Sequence, residues 1–258
     1  PQGLIYHYFD SKEALFQEVM TDALEPFFEN TAELLRRRFA VDLDDGAIEL
    51  LRRRTEGWPA AIHLAGVSLQ DTMDAAAFVA RFAGDDRNVA DFLIGEVLER
   101  VSDRDREFLL RTSVLDQMTG PLCDEVAGVT DGAATLDRME RSGLFLISLD
   151  NRRSWYRYHR LFADLLQSRL QRTAPDEVPV LRQRASLWCE ENGLQAEAVD
   201  HALAAGDVER VADLVERNAE GTLMRGEVAT LKRWIDALPE KVVRARPSLC
   251  FYAAWTLV

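Results

Sequence analysis

The sequence contains few of the residues that cross-link or interrupt a small fold. Among 258 residues there are 3 cysteines, 14 glycines and 8 prolines. Cys123, Cys189 and Cys250 lie far apart, form no CxxC pair and have no nearby histidine. This arrangement excludes a disulfide framework and a structural zinc site, so we expect three reduced cysteines in the core. The low glycine and proline content argues against a loop-rich or all-β protein.

Long apolar runs and an excess of positive charge are also missing. No apolar run approaches the roughly 20 residues that span a bilayer, and the longest, near 144–149, has only the length of a strand. Lys and Arg number 31 against 44 Asp and Glu, which gives a formal net charge of −13 at pH 7. This balance disfavours attraction of the whole surface to nucleic acid or anionic lipid. We therefore expect a soluble, cytoplasmic protein with no membrane partner.

The patterns that carry enzyme chemistry are absent from the sequence. No GxxxxGK[ST] phosphate loop occurs, and the nearest spelling, residues 221–227, has Glu227 where the loop requires Lys. A carboxylate there would repel the phosphates. The four histidines lie in separate segments without a GxSxG elbow beside them. We therefore expect no enzymatic activity, no metal site and no cofactor held by this chain.

Hydrophobic residues recur with a helical period along almost the whole chain. Pro59 stands at the first turn of one predicted helix, where its fixed φ fits and its missing N–H costs nothing. The exception is residues 143–162, where two β-rich runs, LFLISL and SWYRY, flank the polar turn 150–153. The pattern predicts a β-hairpin after several helices, which is typical of a winged helix.

Helical patterns resume after Pro175 and break at 192–193, 205–207, 226 and 238–239. Short antiparallel helix pairs of this kind predict stacked helical hairpins, hence a solenoid. The chain starts with Pro1 rather than Met and stops inside this pattern, so we expect both ends to be truncated. The residues expected to lack a covering repeat are Leu249, Phe251, Tyr252 and Trp255. An uncovered aromatic edge favours fraying or dimerisation, so a homo-oligomer is one expected outcome.

Residues 3–20, GLIYHYFDSKEALFQEVM, resemble the junction between the recognition helix and the next helix in TetR-type DNA-binding domains. The resemblance implies that Tyr6, His7 and Lys12 contact DNA phosphates, and that Gln2 and Leu4 lie near the groove-facing end of the recognition helix. A phenol, an imidazole and an ammonium can all donate to phosphate oxygens. The alternative is an amphipathic helix that packs against its neighbour. The first two helices of such a domain have no counterpart in the sequence.

A second resemblance covers the chain from about residue 31 to residue 258. Five stretches in family order resemble the LuxR-type and maltose-activator regulators of the signal-transducing ATPase (STAND) class, namely 50–69, 82–98, 108–126, 143–170 and 201–216. The resemblance implies a mostly all-α fold: a helical lid, a winged helix with one β-hairpin, and a tetratricopeptide-like helical solenoid. The predicted domains are 1–28 (TetR-type remnant), 29–87 (lid of a missing nucleotide-binding domain), 88–173 (winged helix) and 174–258 (repeats).

The second resemblance also implies two nucleotide-contact positions. Gly57-Trp58-Pro59 matches the family's GxP motif, in which the proline lies against adenine, and His159 in RYHRLF stands where a histidine senses the diphosphate. Without a phosphate loop, ATP or ADP would be held only if a nucleotide-binding domain were present. The alternatives are that Pro59 simply starts a helix and that His159 is a packed or surface histidine.

The predicted hairpin is locally basic and aromatic. Its basic patch comprises Arg152, Arg153, Arg157 and Arg160, with Trp155, Tyr156 and Tyr158 interleaved. A winged-helix tip of this composition can touch a DNA backbone. The alternative is that these arginines pair with acidic partner surfaces or with a nucleotide-binding domain.

The sequence therefore predicts a fragment of a DNA-binding transcriptional regulator that relays a signal and binds an effector or partner through its winged helix and repeats. DNA would be bound by the full-length regulator. The alternative is a TetR-type one-component, ligand-responsive repressor, and a third hypothesis is an enzyme. The body of the chain follows the ATPase-regulator pattern, which favours the first hypothesis. A gene-assembly or gene-decay product is a further explanation for the joining of two incomplete domains.

Overall fold

The computed structural model of the protein describes residues 31–256 except 71, 73, 85, 100 and 143. Helices dominate this part of the chain, and the one sheet found in it is a two-stranded antiparallel hairpin. The predicted mostly all-α fold with a β-hairpin and helical repeats is therefore confirmed. Among the described residues, no helix is both long and apolar enough to cross a membrane.

Eight α-helices precede the hairpin in the described residues. They are α1 (Thr31–Phe39), α2 (Asp45–Thr55), α3 (Pro59–Gln70), α4 (Ala75–Arg81), α5 (Arg87–Leu93), α6 (Asp103–Thr112), α7 (Gly120–Ala127) and α8 (Gly132–Arg141). A π-helical segment, Ile94–Leu98, continues α5. The hairpin strands are β1 (Leu146–Ser148) and β2 (Tyr156–Tyr158). The helices that follow are α9 (Arg160–Thr173), α10 (Glu177–Glu191), α11 (Gln195–Ala205), α12 (Val208–Met224), α13 (Val228–Asp236), α14 (Glu240–Ala245) and α15 (Pro247–Trp255).

The chain divides into two compact units. Unit 1 takes its described residues from 1–106, 144–147 and 158–169, and unit 2 takes its described residues from 107–143, 148–157 and 170–258. Each strand of the hairpin, and also α9, contributes residues to both units. The predicted domain boundaries at 28, 87 and 173 stay predictions.

In unit 1, close packing places the start of α9. A Cβ atom added to Gly84 would lie 1.7 Å from the carbonyl oxygen of Leu161, so only glycine fits there.

Also in unit 1, the guanidinium of Arg54, on α2, donates to the carbonyl oxygens of Ala80 at 2.6 Å and Phe82 at 2.8 Å. These bonds satisfy carbonyl groups at the end of α4, which have no partner within that helix.

In unit 2, backbone pairing fixes the hairpin beside the start of α7. Met118 and Tyr156 exchange two N–H···O bonds of 2.8 and 2.9 Å. The hydroxyl of Thr119 caps α7 by accepting from the backbone N–H of Leu122 at 3.3 Å. Met118, in the segment between α6 and α7, therefore pairs with β2 as a single-residue antiparallel bridge.

The helices from α10 onward form the predicted stacked hairpins. In sequence order α10 packs on α11, α11 on α12 and α12 on α13, while α15 packs back onto α12 and α13. Their shared core holds Ala198, Ala202, Val215 and Trp234, all essentially inaccessible to water. The small side chains of Ala198 and Ala202 let the helix axes approach closely at these contacts.

Two expectations about this part of unit 2 are wrong. Leu249 is fully buried, because α15 folds back against α12, although Phe251 and Trp255 are exposed as predicted at 58% and 59%. Cys123 and Cys189 are buried, but Cys250 is exposed and its Sγ lies 3.2 Å from the carbonyl oxygen of Val243. Cys250 follows Leu249 on α15, and consecutive residues of a helix point in different directions, so the Cys250 side chain faces solvent while that of Leu249 is buried.

Candidate functional site

The turn between α2 and α3 presents the predicted GxP motif. Glu56 and Gly57 both adopt positive φ angles, 50° and 72°, which end α2 and reverse the chain. Trp58 follows, and Pro59 is the first residue of α3, as the helix-start interpretation expects. The left-handed turn therefore sets the position of the Trp58 ring.

His159 lies at the junction of β2 and α9. Its backbone N–H donates to the carbonyl oxygen of Phe145 at 2.7 Å, and its own carbonyl accepts from Ala163 at 2.9 Å. Its Nε2 atom lies 3.6 Å from Oε2 of Glu56, a contact that becomes an ion pair when the imidazole is protonated. The side chain is 11% exposed, so this histidine is packed and not on the surface.

The GxP turn and His159 meet in one group of rings, which we call the aromatic cluster: Trp58, Phe92, Phe145 and His159. The Trp58 ring centroid lies 4.9 Å from Phe145, 5.7 Å from His159 and 5.9 Å from Phe92. The steep interplanar angles of 73° and 68° to Phe145 and His159 are the edge-to-face geometry that aromatic quadrupoles favour. Two positions distant in sequence therefore act as one packed site in unit 1.

Phe145 stores backbone strain within this cluster. Its φ angle of 51° is left-handed, which costs a non-glycine residue about 1–2 kcal/mol. Contacts of its ring with Trp58 and with Phe162, at 5.6 Å, hold it there. Strained residues of this kind concentrate at functional and switching sites. Phe145, Phe92 and Glu56 were not predicted as site residues. For Phe145 the one signal in the sequence was an aromatic residue two positions after Gly143, at the entry to a β-rich run.

The predicted basic patch is divided. Arg153 lies 3.4 Å from Oε2 of Glu140 and 3.8 Å from Oδ1 of Asp137, both on α8. Arg152 and Arg160 are exposed, and Arg157 is half-buried. The structure therefore pairs Arg153 with acids of the chain itself.

The turn beside the patch is held by Asp150. Its Oδ1 accepts from the backbone N–H of Ser154 at 2.9 Å, and its Oδ2 accepts from the Ser154 hydroxyl. These bonds lower the pKa of the Asp150 carboxyl below its usual value. The tip of the hairpin is thus a capped turn.

The other predicted contacts concern DNA. Gln2, Leu4, Tyr6, His7 and Lys12 lie outside the described residues, so their roles stay predictions. Within the described residues, no group of three or more His, Cys, Asp or Glu side chains is arranged to hold a metal ion.

A cavity of about 530 Å³ in unit 2 was not predicted. Its walls come from α10, α11 and the segments around Asp116 and Trp155. The signal that was available is an arginine, Arg182, in helical register with the buried Ala185, Ser186 and Cys189. A charged residue on an apolar stripe faces either the core or a cavity.

Comparison with known protein families matches the middle of the chain. Residues 94–178 match the family model of the MalT winged helix domain. This range contains the π-helical segment, the hairpin, His159 and α9. The family match therefore includes one half of the aromatic cluster.

Curated relatives extend the similarity beyond this domain. The chain is 37% identical over 238 residues to the serine/threonine-protein kinase PknK of Mycobacterium tuberculosis, covering 92% of this chain and 21% of that protein. It is 35% identical over 203 residues to the HTH-type transcriptional regulator MalT of Klebsiella pneumoniae, covering 78% and 22%. For MalT of Yersinia pestis the identity is 34% over 220 residues, covering 84% and 24%.

The chain spans between 21% and 24% of the length of these relatives. One of them is named a kinase and two are named transcriptional regulators, so the shared segment is common to proteins with different names. The chain is therefore MalT-like in a limited sense: residues 94–178 match the MalT winged helix domain, and most of the chain is similar to a segment found in two MalT regulators and in PknK.

Proposed function

We propose that this chain is the relay portion of a MalT-like regulator. The lid and winged helix pass the state of a nucleotide-binding domain to the helical repeats, which bind an effector or partner. The observation that supports this most is the aromatic cluster, in which the GxP turn and His159 lie within contact distance. A change at either position must repack the other, because a dense core transmits displacement.

The path of the chain supplies the route of the relay. His159 directly follows β2 and directly precedes α9, and β1, β2 and α9 each have residues in both units. A displacement of His159 is therefore passed along covalent structure into the hairpin. Such a coupling is allosteric only if two states of a shared element exist, and the strained Phe145 is the element we assign to that role.

Nucleotide enters this proposal only through a further domain. In the resemblance, Pro59 faces adenine and His159 senses the diphosphate, but this sequence contains no phosphate loop. We propose that the chain by itself is not an enzyme, and that ATP or ADP reaches these residues when a nucleotide-binding domain is present.

DNA is a partner of the whole regulator in this proposal. The net charge of −13 opposes non-specific DNA binding by this chain, and Arg153 is engaged by α8. We propose that the basic patch contacts acidic protein surfaces. No observation on the described residues favours the alternative of a TetR-type one-component repressor.

Hydrogen exchange of the chain tests the relay. His159→Ala removes two ring contacts, each worth about 0.5–1.5 kcal/mol, so exchange should accelerate at least about 5-fold in residues 56–62. The relay predicts that exchange also changes in unit 2, at residues 148–157 and at the amide of Met118. Arg160→Ala, the exposed neighbour, should change neither region. An effect of His159→Ala confined to unit 1 would contradict the relay.

A further inference from the structure

The cavity in unit 2 has the size and the lining of a small-molecule site. Its volume of about 530 Å³ lies within the roughly 300–1,000 Å³ of ligand pockets. Leu122 and Leu194 supply apolar wall, and Trp155 is half-buried at its side. The same cavity contains an arginine, a histidine and carboxylates.

The cation inside the cavity has no carboxylate at ion-pair distance in the described part of the chain. Arg182 is half-buried on α10, and its Nη1 atom lies 3.2 Å from Nδ1 of His201. Among the described residues this is its one close polar contact, and no carboxylate lies within ion-pair distance of it. Burial lowers the pKa of Arg182, with Asp116 opposing that effect from a distance. A desolvated, uncompensated charge is costly, so a bound anionic group would be strongly favoured.

His201 orients the Arg182 guanidinium by a hydrogen bond. Burial and the neighbouring Arg182 lower the pKa of His201 to about 4, although Asp116 and Asp200 act in the opposite sense. The ring is therefore neutral at pH 7, and its Nδ1 atom accepts from the Arg182 guanidinium. An arginine has five N–H donors in a fixed fork, so one contact with His201 leaves further donors for a carboxylate.

The mouth of the cavity carries the opposite charge. Asp116, Glu197 and Asp200 are exposed and line it. Arg233 pairs with Asp200 at 2.9 Å, whereas Asp116 and Glu197 make no ion pair within the described part of the chain. These two carboxylates would repel a polyanion, and Arg182 would repel a simple cation. A ligand with one negative and one positive charge can satisfy both Arg182 and the two carboxylates.

We propose that this cavity binds a small zwitterion of the amino-acid or short-peptide class with an apolar side chain. Its carboxylate pairs with Arg182, its ammonium group faces Asp116 and Glu197, and its side chain packs on Trp155 and Leu194. This inference rests on the proposed function, because it gives the effector of the helical repeats a chemical class. Its test measures binding alone, so it fails or succeeds separately from the relay.

Isothermal titration of the 258-residue chain tests the assignment. The probes are the twenty amino acids and the dipeptide leucyl-leucine, which distinguish a free amino acid from a peptide. We expect at least one apolar probe to bind with a Kd below about 1 mM. Its N-acetyl derivative and its methyl ester, which each remove one charge, should bind at least 10-fold more weakly. Binding of no probe, or equal binding of a derivative, would overturn the proposal.

Two variants locate the site. Arg182→Gln should weaken binding at least 10-fold while leaving the melting temperature unchanged or raised, because it removes an uncompensated buried charge. Arg172→Gln, an exposed arginine at the end of α9 and outside the cavity, should bind as the parent chain does. Glu197→Gln should weaken binding of the amino acid more than binding of its N-acetyl derivative. An Arg182→Gln chain that binds with unchanged affinity would contradict the assignment.

Discussion

His63 and His201 respond to pH in the same way, since both are buried. Loss of hydration lowers the pKa of each to about 4, with Arg38 adding to the effect at His63 and Arg182 at His201. An unfolded chain protonates its histidines near pH 6.5. Between pH 6.5 and about 4 the unfolded state therefore binds protons that these folded sites reject, and the free energy of unfolding falls as pH falls.

Replacing His201 should remove part of this pH dependence. His201→Asn keeps a side-chain acceptor for Arg182 but cannot take up a proton. Between pH 7.5 and pH 5.0 the free energy of unfolding of the parent chain should fall by about 1–2 kcal/mol more than that of the variant. Urea unfolding at the two pH values measures this difference. Identical pH dependence of both chains would show that His201 is not buried in its neutral form.

At the scale of elements, most helix ends follow from local chemistry. The predicted breaks at 192–193, 205–207 and 226 coincide with the ends of α10, α11 and α12, because Gly193, Gly206 and Gly226 adopt left-handed φ angles of 73–78° that end a helix. Strand length was overestimated: of LFLISL, only Leu146–Ser148 forms a strand, although Phe145 and Leu149 each make a backbone hydrogen bond to the opposite side of the hairpin. Phe145 leaves the β region because it packs on Trp58, and such a tertiary contact leaves no pattern in the local sequence.

Gly84 should be essential for placing α9. Gly84→Ala puts a methyl group against the Leu161 carbonyl, which is backbone and cannot rotate away. We expect a loss of at least about 2 kcal/mol in unit 1, seen as a lower thermal midpoint and faster exchange in residues 160–166. Gly95→Ala is the matched control, because nothing lies within 4 Å of its added Cβ. Equal stability of the two variants would contradict the packing described here.

Arg246 anchors the start of α15 to α12. Its guanidinium lies 2.5 Å from Asp213, 2.6 Å from Glu209 and 2.9 Å from Glu216, and bonds from Asp213 and then Glu209 raise its pKa. Three carboxylates on one cation form a network, which contributes more than an isolated surface pair.

Substitution of Arg246 measures that anchor. Arg246→Met should lower the free energy of unfolding of unit 2 by about 1–2 kcal/mol, because three acids then repel one another. Arg244→Met breaks one exposed i,i+4 pair with Glu240 and should cost less than about 0.5 kcal/mol. Chemical denaturation at low and high salt compares the two variants. Salt screens the acids, so it should reduce the difference in free energy of unfolding between Arg246→Met and Arg244→Met. Equal costs would argue against a network.

At the scale of the whole molecule, motifs in the sequence indicated residues of the aromatic cluster but not the cavity. The resemblance indicated His159 and Gly57-Trp58-Pro59, and the fold brings the rings of His159 and Trp58 together; their roles toward nucleotide stay predictions. The cavity with Arg182 and His201 was not predicted, because it forms where separate elements meet. The sequence of α10 and α11 does not show that Asp116 and Trp155, which lie far away along the chain, complete the wall of the cavity.

Nucleotide affinity should be weak in this chain. A phosphate loop supplies most of the donors that hold ATP, and the sequence contains none. We expect a Kd no tighter than about 0.1 mM for ATP or ADP and no measurable hydrolysis. Titration with a fluorescent nucleotide checks this value. Micromolar affinity would mean that the aromatic cluster binds nucleotide without a further domain.

The central proposal is that the hairpin tip, residues 148–157 of unit 2, and the aromatic cluster of unit 1 are coupled. Linkage makes such a coupling reciprocal, so a change at the hairpin tip must be felt at His159. The direct measurement is the imidazole NMR spectrum of the parent chain and of Asp150→Ala, which removes the cap on the hairpin turn. We predict that the His159 signals shift while the signals of His63, also in unit 1, stay in place. Unchanged His159 signals in a folded Asp150→Ala chain would contradict the relay.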